Sequence, residues 1–586
     1  MRDANQLMNT WPPLRATCLA CASLVLSACG GGSSSPQQTP PPPEPETFSV
    51  GGTVQGLRSG TLTLREASGD ELEISSNGVF TIIAGAASGR VWEVSIAAQP
   101  ESGPVQICEV ANGAGTIAGA SVNSIDVSCR YGVGRYLYVP ASGSSSLFAY
   151  SIDRATGSLA PVIGSPFAGP SLPGNRSYHH YFAHAIDNRY IYVMALSWDP
   201  AQPDDYSYQL TGFAIDSDTG ALTQIAETPR YEAESAGDFV IHPSGQYLVF
   251  SYFEMTTNLF TLTDDQMGVR ALRIDSATGA LTEVDDSPFP RVTGNFGPAP
   301  GVFSVSGERY YTYGFRRDEG SQLTTTAVSW EFDASTGNMD VQHWEDLPIL
   351  EDPWISGSGA RSVGGIAMDP TGQYVVLTHS SYGAGHSPST PNVAGGITVA
   401  SIDALSGQLQ IDQHPGHVVT LNGVSTPLFA EQAGARVIVP SAPNLSIGTV
   451  NAGSVTVLDV DPGTRSLTEV SGSPFPTNGT NMRYPLLDST GSFFVATNVD
   501  DGTVAVLELD AATGALAHFG ASPVLPAIGA SPIVTVDPSA SYAYVVDSDT
   551  ASVSSYRLDF EAESMSFVTS ETAGPGLHEA IVIGIQ

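Results

Sequence analysis

The stretch Phe239-Val-Ile-His-Pro-Ser-Gly-Gln-Tyr-Leu-Val-Phe250, followed by Ala271-Leu-Arg-Ile-Asp-Ser-Ala-Thr-Gly-Ala-Leu-Thr282, decides how the whole chain is read. Two β-rich runs flank a Pro-Ser-Gly turn. A third run ends in Asp275, and Gly279 opens a fourth. The turn before the fourth run serves as a ruler. Asp153-x-x-Thr156-Gly157-x-Leu159 is its first copy, and Asp216, Asp275, Asp333, Asp403 and Asp510 begin similar ones. Asp461 and Asp559 begin degenerate copies, recognised by Leu467 and Met565 six positions on, which makes eight in all. In such a turn the carboxylate accepts hydrogen bonds from backbone N–H groups ahead of it, and glycine takes the left-handed conformation that closes the hairpin. These aspartates therefore read as structural and not as a converging set of metal ligands.

Eight units of about four strands predict an all-β, eight-bladed β-propeller over residues 131–586, with a seven-bladed ring as the alternative. The first unit, at Arg135-Tyr-Leu-Tyr-Val139, lacks an opening strand, and the chain ends with an unpartnered run, His578 to Gln586. Placing Ala580 to Ile585 beside Tyr136 to Val139 closes the ring and removes exposed strand edges.

Ahead of this lies a different region. Over 47–130, short β-rich runs (Phe48-Val54, Thr61-Arg65, Glu71-Ser75, Val79-Ile83, Val91-Ala97) predict a small β-sandwich, with Asn77-Gly78 as a hairpin signal between two of them. Cys108 and Cys129 are expected to form a disulfide that staples so small a core. The other three of the five cysteines, Cys18, Cys21 and Cys29, lie in the first thirty residues, so the repeats carry no thiolate nucleophile and no cysteine-ligated metal. Arg15, the apolar run Ala16 to Leu26 and Leu26-Ser-Ala-Cys29 have the layout of an export signal, and the run is too short to cross a bilayer. Met8 as the start would give the more usual signal length. Residues 30–46, Gly/Ser-rich and then Pro-rich, read as a tether.

Composition excludes several functions. Net charge is −37, with 59 acidic residues against 22 basic ones, all arginine. The absence of lysine rules out Schiff-base or lysine-nucleophile chemistry. The acidity argues against nucleic-acid partners and reads first as solubility. Calcium held by loops is the alternative, hinted at by Asp264-Asp265 and Asp500-Asp501, though no EF-hand loop is present. No other cofactor is implied. Motifs for serine or zinc hydrolases and phosphate-cradling loops are missing.

Counting back from each Pro/Ser-Gly turn locates the inner-strand starts, where a channel mouth would present side chains. The count gives His180 and Tyr181, Gly237 and Asp238, Gly364 and Gly365, Thr426 and Pro427, and Arg483 and Tyr484. Arg361 lies just before one start, and His578 and Glu579 open the closing strand. His179 and His184 are the runner-up histidines. An inert place at the channel mouth is the first reading of each; the catalytic candidates, on the family resemblance given below, are His180, Glu579, Arg361 and Arg483, where His or Glu would activate water and Arg would stabilise a developing oxyanion. Ligand contacts are assigned to Tyr181, Asp238, Tyr484 and His578.

Several motifs carry a family resemblance. Tyr136-Leu-Tyr-Val139, Asp-Pro at 369 and 537, the Asp-x-x-Thr-Gly-x-Leu turns and Ser-Pro-Phe at 165, 287 and 473 resemble lactonase-type propellers, those similar to 6-phosphogluconolactonase and to Tyr-Val-Thr-Asn repeat proteins. That resemblance covers about 130 to 586 and implies a lactone hydrolase with an acid/base group beside arginines. The group's histidine-bearing strand starts are mostly Gly, Thr and Pro here, and its usual blade count is seven. Val50-Gly-Gly-Thr-Val-x-Gly-Leu57, Asn77-Gly-x-Phe80 and the two late cysteines resemble a module near the N-terminus of many bacterial lipoproteins. Leu-Ser-Ala-Cys resembles a lipobox, implying a lipid on Cys29, and Gly30 after it implies the outer membrane. The main expectation is an envelope lipoprotein whose propeller binds a small molecule or an envelope protein, touching the membrane through its lipid alone. A lactone hydrolase is the alternative.

Overall fold

The computed structural model describes residues 46–583 apart from 58–60, 101–105, 170–176, 185–187, 200–201, 230, 233, 255–266, 291–300, 318–322, 347–360, 382–394, 412–416, 420–427, 430–435, 442–451, 462, 465, 489–490, 520–531, 560–561, 563 and 578–579. Cys29 and the leader and tether lie outside the described residues.

The N-terminal region is a pair of four-stranded sheets. One joins Gly78–Ala86, Phe48–Gln55, Val122–Tyr131 and Gln106–Ala111; the other joins Glu71–Ile74, Leu62–Glu66, Val91–Ala98 and Ala114–Thr116. Together they enclose a single core that includes Val50, Leu62, Leu64, Trp92, Ile125 and Val127. Cys108 and Cys129 face each other across neighbouring strands and form the expected disulfide. Asn77-Gly78 is not a hairpin. The strands on either side of it belong to different sheets, Glu71–Ile74 pairing with Leu62–Glu66 and Gly78–Ala86 with Phe48–Gln55. The physical reason is the side chain of Asn77, which accepts from Leu57 N–H (2.7 Å) and donates to Leu57 C=O (2.8 Å), standing in for a strand partner where the chain crosses between sheets.

Residues 136–583 form eight sheets, each built on a four-strand antiparallel path. The third, from the stretch that opened the sequence argument, runs Glu234–Ile241, Tyr247–Glu254, Met267–Ile274, Leu281–Glu283. Eight buried apolar clusters lie between them. Each draws on two consecutive sheets, and one joins Tyr542, Tyr544 and Val546 of the last sheet to Leu137, Val139 and Tyr150 of the first. The sheets thus follow one another in a closed cycle. The first strands of successive sheets lie against each other where they are long enough to do so, as they must around a central axis. The backbone hydrogen-bond ladder closes the ring as well: Ile581, Val582 and Ile583 pair with Tyr138, Leu137 and Tyr136, so the C-terminal strand becomes the innermost strand of the first sheet.

Two sequence motifs turn out to be halves of one joint. Tyr136 and Tyr138, on the second strand of the first sheet, donate to Asp218 O (2.7 Å) and Gly220 O (2.8 Å) in the turn of the next sheet. Tyr192 reaches Gly279 O (2.9 Å), Tyr311 reaches Gly407 O (2.8 Å), and Tyr542 reaches Ala155 O (3.0 Å) across the ring closure. The glycine of the turn is needed for this as well as for its left-handed backbone. A Cβ on Gly220 would lie 2.4 Å from the Tyr136 ring, and one on Gly157 2.3 Å from the Tyr542 ring. The turn aspartates behave as expected. Asp275, for example, accepts from Ala277 N–H, Thr278 N–H and Thr278 Oγ1, and the hydroxyl and amide bonds from Thr278 hold its carboxyl below the usual carboxylate range.

Candidate functional site

The two ends of the ring are unlike. At one end the first and second strands of the sheets are joined by short, similar connections: 185–189, 242–246, 304–308, 369–373, 430–435, 488–492 and 537–541. At the other, the number of residues between successive strands varies widely, with long spacings that include 255–266, 347–360, 382–394, 442–451 and 520–531, all outside the described residues. Variable segments carried on a rigid scaffold are where binding residues concentrate, so the second end is the candidate site. The inner strands start at that end.

Counting back from the turns places the candidate residues on inner strands but misjudges the strand starts. The strands begin at Ser177, Glu234 and Arg361, so His180, Tyr181 and Asp238 sit mid-strand, while Arg361 is itself the first residue of Arg361–Met368. The turn fixes where a strand ends; how far back its pairing runs depends on the partner strand, which continues to Asp199 in the second sheet and Glu254 in the third. For His180, Tyr181, Asp238 and Arg361 the structure describes the backbone alone. His578, Glu579, Thr426 and Pro427 lie outside the described residues.

The inner strands of sheets 3, 5 and 7 share a feature absent from those of sheets 1, 2 and 8 among the described residues: each carries a one-residue bulge against the second strand. The pairing skips between Ala236 and Phe239, between Val363 and Gly365, and between Arg483 and Leu486. The bulged residues include Gly237-Asp238, Gly364 and Tyr484-Pro485, which is the tier the sequence count selected. A fully buried hydroxyl of the second strand stands at each level: Ser251, Thr378 and Thr497. In the seventh sheet its role is explicit. Thr497 Oγ1 lies 3.1 Å from both Arg483 O, a carbonyl at the bulge, and Pro532 O on the next inner strand. Bulges of this kind recur beside functional sites because they re-aim side chains.

Arg483 and Tyr484 are the two candidates whose side chains are described. Arg483 is half-buried, and its Nε donates to Asn481 Oδ1 (3.1 Å). Asn481 Nδ2 in turn donates to Asp500 Oδ1 (2.9 Å), so the amide is fixed from both sides. Among the described residues neither Nη group of Arg483 meets a carboxylate. Asp501 accepts from Thr480 N–H and, at 2.6 Å, from Thr480 Oγ1. The Asp500-Asp501 pair therefore organises the approach to Arg483. Sequence reasoning missed Asn481 and Thr497, which carry no motif. Spacing from Arg483 is the one signal that could have found Asn481.

The Asp-x-x-Thr-Gly-x-Leu turns and the paired tyrosines now have complementary structural roles around a closed ring. In fold, the chain is a β-propeller. It is similar in structure to the Pseudomonas aeruginosa periplasmic gluconolactonase PpgL, at 16% identity and a TM-score of 0.44, over 77% of this chain and 99% of that one. A propeller from Bacteroides uniformis ATCC 8492 with a provisional 6-phosphogluconolactonase assignment matches at 14% identity and 0.41, over 67% and 96%. Apo AztD from Citrobacter koseri matches at 12% and 0.43, over 78% and 99%. At such identities the likeness is one of fold alone. No known family profile and no curated protein matches the sequence.

Elsewhere, a cavity of about 800 Å³ opens at the short-connection end between sheets 3 and 4, lined by Asp286, Glu308, Arg309, Glu331, Asp333 and Asn338 among others. Among the described residues no group of His, Cys, Asp and Glu is arranged to hold a metal ion, and no helix is long and apolar enough to cross a membrane.

Proposed function

We propose that this lactonase-like propeller binds a sugar lactone, or the acid derived from it, at the end bearing the long connections, and that it opens the lactone ring. The observation that carries this reading is the tier of three bulged inner strands, with the guanidinium of Arg483 aligned there and free of carboxylates among the described residues. In the proposed reaction His180 or Glu579 takes a proton from water as it attacks the ester carbonyl. Arg361 and Arg483 stabilise the oxyanion, and as the ring C–O bond breaks the base returns its proton to the ring oxygen, which leaves as a hydroxyl on the same molecule. The sequence resemblance to lactonase-type propellers supports the choice of substrate class, as does the name of the gluconolactonase to which the chain is similar. The export signal and lipobox put the proposed work in the cell envelope, with Cys29 as anchor and calcium as a candidate loop ion.

A second reading, a propeller that binds its ligand or an envelope partner without hydrolysis, is favoured by Gly364 and Gly365 at the bulge tier, where an acid/base side chain would otherwise stand. Purified protein lacking the first 29 residues, assayed for acid release from a panel of sugar lactones, separates the two. Turnover lost in His180→Ala or Glu579→Ala supports hydrolysis. Saturable binding without turnover supports the second reading, and neither refutes the site.

A further inference from the structure

Among the described residues, the non-glycine positions with left-handed backbone are Asn112, Ser145, Asn188, Asp286, Asn478, Asn481, Ala540, Ala551 and Tyr484. Asparagine and aspartate adopt this region with ease, and serine and alanine are small. Tyr484, at φ 51°, is the one bulky side chain of the set. Tyr484 is 39% exposed, whereas the tyrosines of the inter-sheet joints are buried. The residue also precedes Pro485, which further restricts its backbone. Strain at an exposed aromatic calls for a reason other than stability.

Its surroundings suggest one. In a regular strand, Arg483 and Tyr484 would point to opposite faces. The bulge between Arg483 and Leu486 interrupts that alternation, and Thr497 supports it from beneath. Pro485 loses nothing there, since a bulged residue on an edge strand has no ladder bond to donate. Next to Tyr484 in sequence, the Asp500–Asn481 relay fixes the Nε edge of Arg483, and among the described residues no carboxylate meets its Nη edge. A single guanidinium balances a single negative charge, and in a chain of net charge −37 a doubly charged anion is repelled more strongly than a singly charged one.

We propose that Arg483 and Tyr484 form a subsite for a sugar acid, the guanidinium pairing with its carboxylate and the tyrosine ring covering the C–H face of its carbon chain. This rests on the reading that the long-connection end is the ligand site, and it specifies a monoanionic polyol as the ligand. Tyr484 is held in a strained backbone so that its ring stays exposed beside the charge. Asn481 is a positioning residue, acting through Arg483.

Calorimetric titration of the protein from residue 30 onward with gluconate, 6-phosphogluconate and inorganic phosphate, paired with urea unfolding, tests the idea. The parent binds gluconate best. Tyr484→Phe binds within about two-fold of it, whereas Tyr484→Gly and Arg483→Gln each bind at least about ten-fold more weakly. Because glycine accepts the left-handed backbone, Tyr484→Gly also unfolds at a higher urea concentration. Preference for either phosphate compound overturns the ligand class. A lower unfolding midpoint for Tyr484→Gly means the ring is structural and overturns the subsite, as does gluconate binding undiminished in that variant. Lactone turnover and gluconate binding both unchanged in Tyr484→Gly sink this inference and leave the proposed function standing; a parent that neither binds gluconate nor opens lactones overturns both.

Discussion

Replacing Gly157 with alanine tests the joint that closes the ring. The new methyl would lie 2.3 Å from Cδ1 and Cε1 of Tyr542, and the backbone there has φ 74°. The left-handed conformation costs a non-glycine residue about 1–2 kcal/mol, and forcing a methyl into filled space costs a further ~1–3 kcal/mol. Together these give about 2–5 kcal/mol. Relief by moving Tyr542 is expensive, because that ring is buried in the cluster between the last and first sheets and its Oη donates to Ala155 O at 3.0 Å. The two contributions separate in a double-mutant cycle. With Tyr542→Ala in place the clash disappears, and Gly157→Ala then costs only the backbone share, leaving a coupling of about 1–3 kcal/mol. Urea unfolding followed by far-ultraviolet circular dichroism measures all four proteins. A cost for Gly157→Ala below about 1 kcal/mol, or strict additivity with Tyr542→Ala, would refute the claim that the two motifs form one joint.

Three further outcomes follow from the structure. Converting Cys108 and Cys129 to alanine, whose sequence separation is 21, should cost the N-terminal sandwich about 3 kcal/mol and leave the propeller transition in place; thiol labelling of the exported parent should find neither sulfur free. His242 is buried against Phe303 and Phe332, with Nε2 2.9 Å from Gly307 O, and burial pushes its imidazole down from the usual value. The neutral ring is therefore favoured by folding, and its contribution is complete above the unfolded pKa of about 6.5 and declines as pH falls below it. His242→Asp, the residue at the same turn position at 369, 488 and 537, should flatten the stability profile just below pH ~6.5, and an unchanged slope would count against the burial argument. Cys29→Ser should move the protein from the membrane fraction to the soluble fraction, and continued labelling with fatty acid would contradict the lipobox reading.

Much of the architecture was legible because it is local and repeated. A turn such as Asp275-Ser-Ala-Thr-Gly279 encodes its own hydrogen bonds and its own left-handed residue, so eight copies announce eight similar hairpins without any tertiary information. The unpartnered C-terminal run was equally readable, because a repeat lacking its first strand and a strand lacking a repeat have a single economical pairing. Asn77-Gly78 misled because the local preference of the pair is satisfied at least as well by a crossing between sheets, once the Asn77 amide has the backbone of Leu57 to bond.

Tertiary structure alone decided three things. That Tyr136 and Gly220 belong to the same joint depends on packing between residues far apart in sequence, which no window contains. The bulges at Gly237-Asp238, Gly364 and Tyr484-Pro485 depend on where a partner strand runs out of register, and the sequence of one strand does not state its partner's. The orientation of Arg483 depends on Asn481 and Asp500, joined by a connection and a strand turn rather than by a motif. Turn chemistry and periodicity act over a few residues and are written in the chain. Which side chains meet around a closed ring is set by the geometry of the ring, and that exists only once the sheets have packed.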